Sequence, residues 1–196
     1  MLYFIVTTCV DASLLRKAQY TQAIGALKAL AGNAPILLVE NNGPRATYLD
    51  DLGCRVLYTT NNQLPAADKG VKELQDVLDC IAHFEIKDSD FVVKMTGRYI
   101  MRDSAAFLKA AQSDRYDCVI RYGPYFKPAG EKMDDCVTGL VGLRCRYVKQ
   151  IERPKEKECV EWKWGQVTRL IPDEAICKMN YLGIFICPGK NPYFLI

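Results

Sequence analysis

Apolar residues in the first 122 positions occur in two kinds of run. Short runs rich in β-branched and aromatic residues predict strands at 2–9, 36–39, 55–60, 91–93 and 116–122. A run with helical spacing predicts a core-facing stripe formed by Tyr20, Ala23, Ile24, Leu27, Leu30 and Ala31. A second such run, opened by Asp68, contains Val71, Leu74, Val77, Leu78, Ile81 and Ala82. The alternation of strand and helix predicts right-handed crossovers and a mostly parallel sheet.

The pattern changes after residue 122. Residues 123–135 form a predicted loop, 137–148 a strand with a run-on, and 176–187 one or two further strands. Between them, 156–171 is predicted to be helical, with one apolar face formed by Val160, Trp164, Val167 and Ile171. Because no repeat or linker separates the parts, the sequence predicts one α/β domain over 1–196 with a Rossmann-like central sheet flanked by helices.

Composition narrows the class of protein. The chain has 196 residues, of which 49% are hydrophobic and 25% charged, which is typical of one folded domain. A net charge of +3 is too small to predict a nucleic-acid partner. The sequence has no apolar run long enough for a membrane span and no secretory signal pattern. Nine cysteines without a C-x-x-C pair favour free thiols in a reducing compartment. We therefore expect a cytoplasmic protein.

Polar residues follow four of the predicted strands: 7–9, 40–42, 59–62 and 96–99. In an open parallel sheet, ligands bind at the carboxyl ends of the strands. Thr7, Thr8, Asn41 and Asn61 are therefore candidate ligands, since hydroxyl and amide groups can hydrogen-bond a base, a ribose or a phosphate.

The segment Lys94-Met95-Thr96-Gly97-Arg98-Tyr99 is the most informative of these strand ends. An arginine offers a planar fork for phosphate oxygens, and a lysine offers a point charge. A glycine lets a backbone come close to a ligand. On a strand Lys94, Thr96 and Arg98 would share one face, so the segment favours a phosphate-bearing ligand over a solvated turn.

This segment and the order of elements resemble those of glycosyltransferases with the GT-A fold, in particular Lys-x-Thr-Gly-Arg-Tyr proteins from bacterial surface-polysaccharide clusters and large DNA viruses. The resemblance covers most of the chain in pattern but only these six residues in detail. It implies a nucleotide-sugar donor bound in the half formed by 1–122, and a glycan or glycoprotein acceptor in the half formed by 123–196. The implied donor ligands are Thr7, Thr8, Asn41, Asn61, Lys94, Thr96, Gly97 and Arg98.

The same resemblance raises the question of a divalent metal, Mn or Mg. Most members carry Asp-x-Asp at this strand end, where the metal holds the donor diphosphate, whereas this chain has Thr96-Gly97-Arg98. The triplet Asp88-Ser89-Asp90 precedes the strand and is expected at the opposite edge of the sheet. Asp134 and Asp135 are better placed, and could hold a metal, bind sugar hydroxyls or be solvated.

The resemblance also implies a catalytic base, since inverting transfer needs a carboxylate to accept the acceptor hydroxyl's proton. Members supply it at the start of a late helix, where Glu161 stands, with Glu158 as the competitor. Trp162 or Trp164 could stack on a sugar ring. Tyr99 and the aromatic, basic segment 121–128 suit acceptor binding.

Two alternatives stay open. A sugar nucleotidyltransferase normally has a glycine-rich signature after the first strand, and here that position reads Thr7-Thr8-Cys9-Val10-Asp11-Ala12. A non-catalytic module that binds a nucleotide sugar or a glycan would fit the missing Asp-x-Asp. Dehydrogenase, P-loop and serine-hydrolase motifs are absent from the sequence.

Overall fold

The computed structural model describes residues 1–65, 68–123, 134–155, 158–186 and 194–196. Within them the strands are β1 (Leu2–Thr8), β2 (Ile36–Glu40), β3 (Arg55–Tyr58), β4 (Phe91–Thr96), β5 (Ile100–Met101), β6 (Cys118–Ile120), β7 (Leu140–Arg144), β8 (Ile176–Lys178), β9 (Ile184–Ile186) and β10 (Phe194–Leu195). The helices are α1 (Leu14–Leu30), α2 (Lys69–His83), α3 (Ala105–Ala111), α4 (Cys145–Val148) and α5 (Val160–Val167).

The main sheet has seven strands in the order β3-β2-β1-β4-β7-β6-β8. Strand β7 pairs antiparallel with both β4 and β6, and every other pairing in this sheet is parallel. The prediction of a mostly parallel α/β sheet is confirmed. A small antiparallel sheet of order β10-β9-β5 accompanies it.

Helices cover both faces of the main sheet. Helices α1 and α3 pack on one face, in a core that includes Phe4, Val93 and Phe107. Helices α2, α4 and α5 pack on the other, in a core that includes Val77 and Trp164. The predicted apolar face of the late helix is confirmed, since all four of its residues are buried.

The predicted extents of several elements were wrong, most clearly in three places. Leu30 is 38% exposed because α1 ends there, so the stripe passes from Leu27 to Ala31 without it. The strand expected over 137–148 stops at Arg144. This residue pairs with Phe91, the first residue of β4, so the following residues have no strand partner in β4 and the chain turns into α4. Helix α5 begins only at Val160.

Helices α2 and α5 meet at Gly70. A Cβ placed on this glycine would lie 2.1 Å from Cγ1 of Val160, so the Val160 side chain lies directly against the backbone of Gly70. Asp68 caps α2 by accepting a hydrogen bond from the Gly70 amide at 2.8 Å. This contact brings the first turns of α2 and α5 side by side.

The described residues also bear on the predictions about membrane spans and cysteines. No helix among the described residues is long and apolar enough to cross a membrane. Eight cysteines in the described part of the chain are free thiols, and Cys187 lies outside it.

Candidate functional site

A cleft opens at the carboxyl ends of β1, β2 and β4, between α1 and α2. Its cavity volume is about 100 Å³. The lining residues are Thr7, Thr8, Cys9, Arg16, Tyr20, Asn41, Asn62, Lys69, Lys72, Glu73, Thr96 and Arg98. Five of the sequence-predicted donor ligands, namely Thr7, Thr8, Asn41, Thr96 and Arg98, therefore line one cavity.

Gly97 holds two of these strand ends together. Its amide donates a hydrogen bond to the carbonyl of Thr7 at 3.0 Å. A Cβ on Gly97 would lie 2.8 Å from that carbonyl oxygen and 2.9 Å from Cε1 of Tyr20. The missing side chain therefore permits close packing of the end of β4 against the end of β1, whereas the prediction from sequence was a close approach of the backbone to a ligand.

Two buried polar atoms in the cleft wall have no hydrogen-bond partner: Oγ1 of Thr7 and Oδ1 of Asn41. Both residues are at least nine-tenths buried, with 4% and 5% exposure. A buried polar atom without a partner costs about 1–3 kcal/mol. These atoms are therefore suited to bind a ligand that supplies the missing hydrogen bonds.

Thr8 and Glu40 shape the loop that follows β1. The Thr8 hydroxyl donates to Oε2 of Glu40 at 2.8 Å and lies 3.0 Å from the Val39 carbonyl. The Glu40 carboxylate is fully buried and accepts from the amide of Val10. Thr8 thus contributes to the cleft mainly by fixing this loop.

Asp76 lies beneath the cleft and gathers three donors. Its carboxylate accepts hydrogen bonds from Nδ2 of Asn41 at 2.8 Å, Nδ2 of Asn61 at 2.8 Å and Oγ1 of Thr59 at 3.1 Å. Burial raises its pKa to about 7, although these donors act in the opposite direction. Asn61, predicted as a donor ligand, does not line the cleft and instead holds Asp76 and Asp79.

Lys94 also supports the cleft from below. Its ammonium is 2.5 Å from Oε2 of Glu73, 2.9 Å from Oγ1 of Thr96 and 2.8 Å from the carbonyl of Thr138. An ammonium has three donors, and all three are used. The expected shared face of Lys94 and Arg98 is also absent, because β4 ends at Thr96 and the chain turns. Lys94 orients Glu73 and Thr96, which line the cavity in its place.

The first turns of α2 bring charged residues to the cleft that were not predicted from the sequence. Lys69, Lys72, Glu73 and Asp76 recur at three and four residues, and therefore share one face of the helix. That spacing was the available signal, but a solvated helix face has the same spacing. Arg16 on α1 adds a further cation, bonded to Asp11 at 2.9 Å.

Arg98 differs from Arg16 and Lys72, which have partners among the described residues. It is half-buried and makes no hydrogen bond or ion pair with the described residues. Its guanidinium is close enough to Tyr20 to lower the pKa of that phenol, against a larger upward shift caused by burial. A guanidinium without a partner can bind an anion with no competing ion pair to break.

Glu161 lies next to the cleft rather than in its wall. Oγ1 of Thr138 is 3.4 Å from Oε1 of Glu161, and the carbonyl of Thr138 accepts from Lys94. The competitor Glu158 accepts from the amide of Lys155 and pairs with the buried Lys163 at 2.9 Å, and these contacts lower its pKa. Glu161 is therefore the less engaged of the two carboxylates.

The remaining acceptor candidates are spread over this side of the molecule. Trp162 is 43% exposed, but Trp164 is buried in the core, which excludes it from stacking on a sugar. Tyr99 is half-buried against the other core. In the segment 121–128, Arg121 and Tyr122 are buried, and 124–128 lie outside the described residues.

The arrangement of carboxylates bears on the divalent metal. Asp134 receives hydrogen bonds from Arg169 to both its oxygens, at 2.6 and 2.8 Å. Asp135 is half-buried beside it. Across the described ranges, no group of three or more His, Cys, Asp or Glu side chains is placed to hold a metal ion. Asp88 and Asp90 precede β4, at the opposite edge from the cleft, as expected. The residues at the strand end suit a phosphate better than a metal.

Known proteins resemble this chain in structure but not detectably in sequence, since no family model and no curated protein matches it. Mannosyltransferase PcManGT from Pyrobaculum calidifontis, in complex with GDP-Man and Mn2+, aligns with a TM-score of 0.56 and 8% identity, covering 92% of this chain and 56% of that one. The chain thus spans little more than half of that enzyme's length.

Two further structures align over most of their own length. A protein described as a nucleotide-diphospho-sugar transferase from Desulfovibrio desulfuricans G20 gives a TM-score of 0.52 with 15% identity, covering 91% of this chain and 79% of that one. A 4-diphosphocytidyl-2C-methyl-D-erythritol synthase gives 0.54 with 9% identity, covering 93% and 90%. The chain therefore has the Rossmann-like α/β fold of nucleotide-diphospho-sugar transferases, the GT-A fold.

Proposed function

We propose that this chain is a glycosyltransferase that moves a sugar from a nucleotide-diphosphate sugar to a glycan or glycoprotein acceptor. Its cleft occupies the carboxyl edge of the sheet, where open α/β folds bind ligands. The neighbours described as a mannosyltransferase and a nucleotide-diphospho-sugar transferase support the same class of donor.

The observation that carries the proposal is the combination of cations with unsatisfied polar atoms in one cavity. Lys69 and Lys72 lie in the first turn of α2, where the helix dipole adds positive potential. Arg98 faces the cavity without a partner, and these three cations suit a diphosphate. The unpartnered atoms of Thr7 and Asn41 suit the polar groups of a base or ribose.

For the acceptor side we propose Glu161 as the base that accepts the proton of the acceptor hydroxyl. Thr138 links it to the Lys94–Glu73 pair, which suits a position beside the donor. Tyr99, Trp162, Asp134 and Asp135 are proposed to contact the acceptor or the donor sugar. The phosphate charge is proposed to be neutralised mainly by Lys69, Lys72 and Arg98.

Release of nucleoside diphosphate from a panel of nucleotide sugars, with and without glycan acceptors, tests this function. We expect slow hydrolysis of at least one donor and faster release when its acceptor is added. Arg98→Ala should lose this activity, while Arg115→Ala, an exposed arginine outside the cleft, should keep it. If a donor binds tightly but no combination of donor and acceptor releases nucleoside diphosphate, the chain is a non-catalytic binding module rather than an enzyme.

The second candidate is a sugar nucleotidyltransferase. It is favoured by the match to 4-diphosphocytidyl-2C-methyl-D-erythritol synthase over 90% of that chain. A glycine-rich loop is absent after β1, where Thr8 and Glu40 fix a different loop. Incubation with nucleoside triphosphates and sugar 1-phosphates distinguishes the two, because only a nucleotidyltransferase would release pyrophosphate.

A further inference from the structure

The hydrogen bond to Asp76 fixes the orientation of the Asn41 side-chain amide. Its side chain is fully buried. Oδ1 accepts two hydrogen bonds, from Asn61 and Thr59, while Oδ2 accepts one, from Nδ2 of Asn41. An ionised carboxylate can only accept, so Asn41 must turn its amide nitrogen toward Asp76.

The other end of that amide, Oδ1, is then turned away from the carboxylate. Oδ1 of Asn41 is buried, has no partner and belongs to a residue that lines the cleft. Thr7 pairs with Val39, two residues before Asn41, so its hydroxyl lies on the same face of the sheet and is also unpartnered. The cleft wall thus offers an oxygen that only accepts beside a hydroxyl that can donate.

We propose that Asp76 is a positioning residue that fixes the hydrogen-bonding polarity of Asn41, so that the cleft selects a heterocycle edge with a ring N–H beside a carbonyl oxygen. The inference rests on the proposed function, because it requires a nucleotide in the cleft. Uracil and guanine carry such an edge, whereas cytosine and adenine present a ring nitrogen that accepts. A ribose hydroxyl both donates and accepts, and would not be discriminated.

Substitution of Asp76 by asparagine should reverse this polarity. The amide oxygen of the new side chain is expected to stay where Asn61 and Thr59 both donate, which leaves its NH₂ facing Asn41. Asn41 must then accept with Oδ1 and turn its own NH₂ into the cleft. A purely structural role for Asp76 would instead weaken all nucleotides alike.

The experiment measures binding of UDP and CDP, and of GDP and ADP, by calorimetry at pH 8. In whichever of the two pairs binds, the wild type should have about tenfold higher affinity for the nucleotide whose base carries a ring N–H, UDP or GDP. This is the effect of one hydrogen bond made or left unsatisfied. D76N should favour the other base. D79N is the matched control, because Asp79 contacts Asn61 and Gln75 but not Asn41, and it should keep the wild-type ratio.

A second measurement needs no variant. Below its pKa of about 7, Asp76 carries a proton that Asn41 must accept, which turns the amide in the same way as D76N. The charged or titratable groups that act on Asp76, or are acted on by it, are Glu73 and Cys80 on α2 and Cys9 after β1. Asp79 is connected to Asp76 only through their shared donor Asn61. The strand ends contribute amides and a hydroxyl. The wild-type preference should therefore shrink or invert at pH 6, while phosphate titration, common to both nucleotides, cancels in the ratio.

Several results would overturn the inference. They are an equal loss of affinity for both bases in D76N, a ratio unchanged among wild type, D76N and D79N, or a wild type without preference. If D76N does not fold, the wild-type ratio at pH 6 and pH 8 decides, and an unchanged ratio rejects the inference. Failure of every nucleoside diphosphate to bind would reject the proposed function as well, whereas binding without the predicted switch rejects this inference alone.

Discussion

Nζ of Lys94 lies 2.5 Å from Oε2 of Glu73, and this ion pair joins β4 to α2 at the floor of the cleft. The lysine side chain is 3% exposed and the glutamate side chain 27%. A cation so deeply buried contributes little to binding by direct contact. Its main contribution is to hold the carboxylate and Thr96 in place.

Replacing Lys94 by methionine should therefore destabilise the fold, because Glu73 and the carbonyl of Thr138 lose their donor. Breaking a buried pair typically costs about 3–5 kcal/mol, and partial exposure of Glu73 favours the lower value. Denaturant titration measures the free energy of unfolding. Lys149→Met, which removes an exposed pair with Asp88, should cost less than about 1 kcal/mol. Equal losses in the two variants would contradict the supporting role of Lys94.

Arg98→Ala should show the opposite behaviour. The free energy of unfolding should be unchanged, because Arg98 makes no hydrogen bond or ion pair with the described residues. Affinity for a nucleotide sugar should fall about tenfold to a hundredfold, the effect of one charge-assisted contact. Calorimetry measures this affinity, with Arg115→Ala as the control. Unchanged affinity in a folded Arg98 variant would exclude the arginine from the donor site.

Glu161→Gln keeps the shape of the side chain and removes its basic oxygen. If Glu161 is the base, the transfer rate should fall by about 10²–10⁴ while donor affinity stays within a few-fold. Glu158→Gln is the internal control, and should do much less because that carboxylate is paired with Lys163. If the transfer rate depends on Glu158 instead, Glu158 is the base. If the rate depends on neither glutamate, this part of the chain does not supply the base.

Donor binding should survive chelation. Cations line the strand end where most glycosyltransferases of this fold carry Asp-x-Asp, so the diphosphate charge can be neutralised by side chains. Thermal shift with a bound nucleotide sugar, before and after EDTA, measures this. Loss of binding in EDTA and its recovery with Mn2+ would show instead that carboxylates such as Asp134 and Asp135 hold a metal.

Asp76 should make the stability depend on pH. Its pKa rises from 3.8 to about 7 on folding because the carboxyl is buried. The folded state therefore binds this proton more tightly, and the resulting stabilisation is complete below about pH 4 and is lost as the pH rises through about 7. Denaturant titrations at several pH values should show a smaller loss over this interval in Asp76→Asn. Asp79→Asn should keep the wild-type slope.

The sequence predicted the cleft's strand ends well, because short apolar runs followed by polar residues mark both the strand and its end. Thr7, Asn41, Thr96 and Arg98 were found in this way and line one cavity. The position of Asp88 and Asp90 at the opposite edge followed from the same argument.

The contribution of α2 could not be read in the same way. Lys69, Lys72 and Glu73 have the spacing of a solvated helix face, and only the packing of α2 turns them into the cleft. Lys94 looked like a phosphate ligand because its partner Glu73 is 21 positions away. The antiparallel β7 between β4 and β6 depends equally on contacts distant in sequence.

The contact at Gly70 determines how far the proposed phosphate-binding lysines lie from the proposed base. Lys69, a cation of the cleft, directly precedes Gly70. Val160, which contacts Gly70, is directly followed by Glu161. A methyl group here would force α2 and α5 apart, since its carbon would lie 2.1 Å from Val160. The separation between the charges proposed to hold the phosphates and the carboxylate proposed to accept the proton is therefore set by direct helix contact. Gly70→Ala would lengthen the span that donor and acceptor together must bridge without changing any group that touches them.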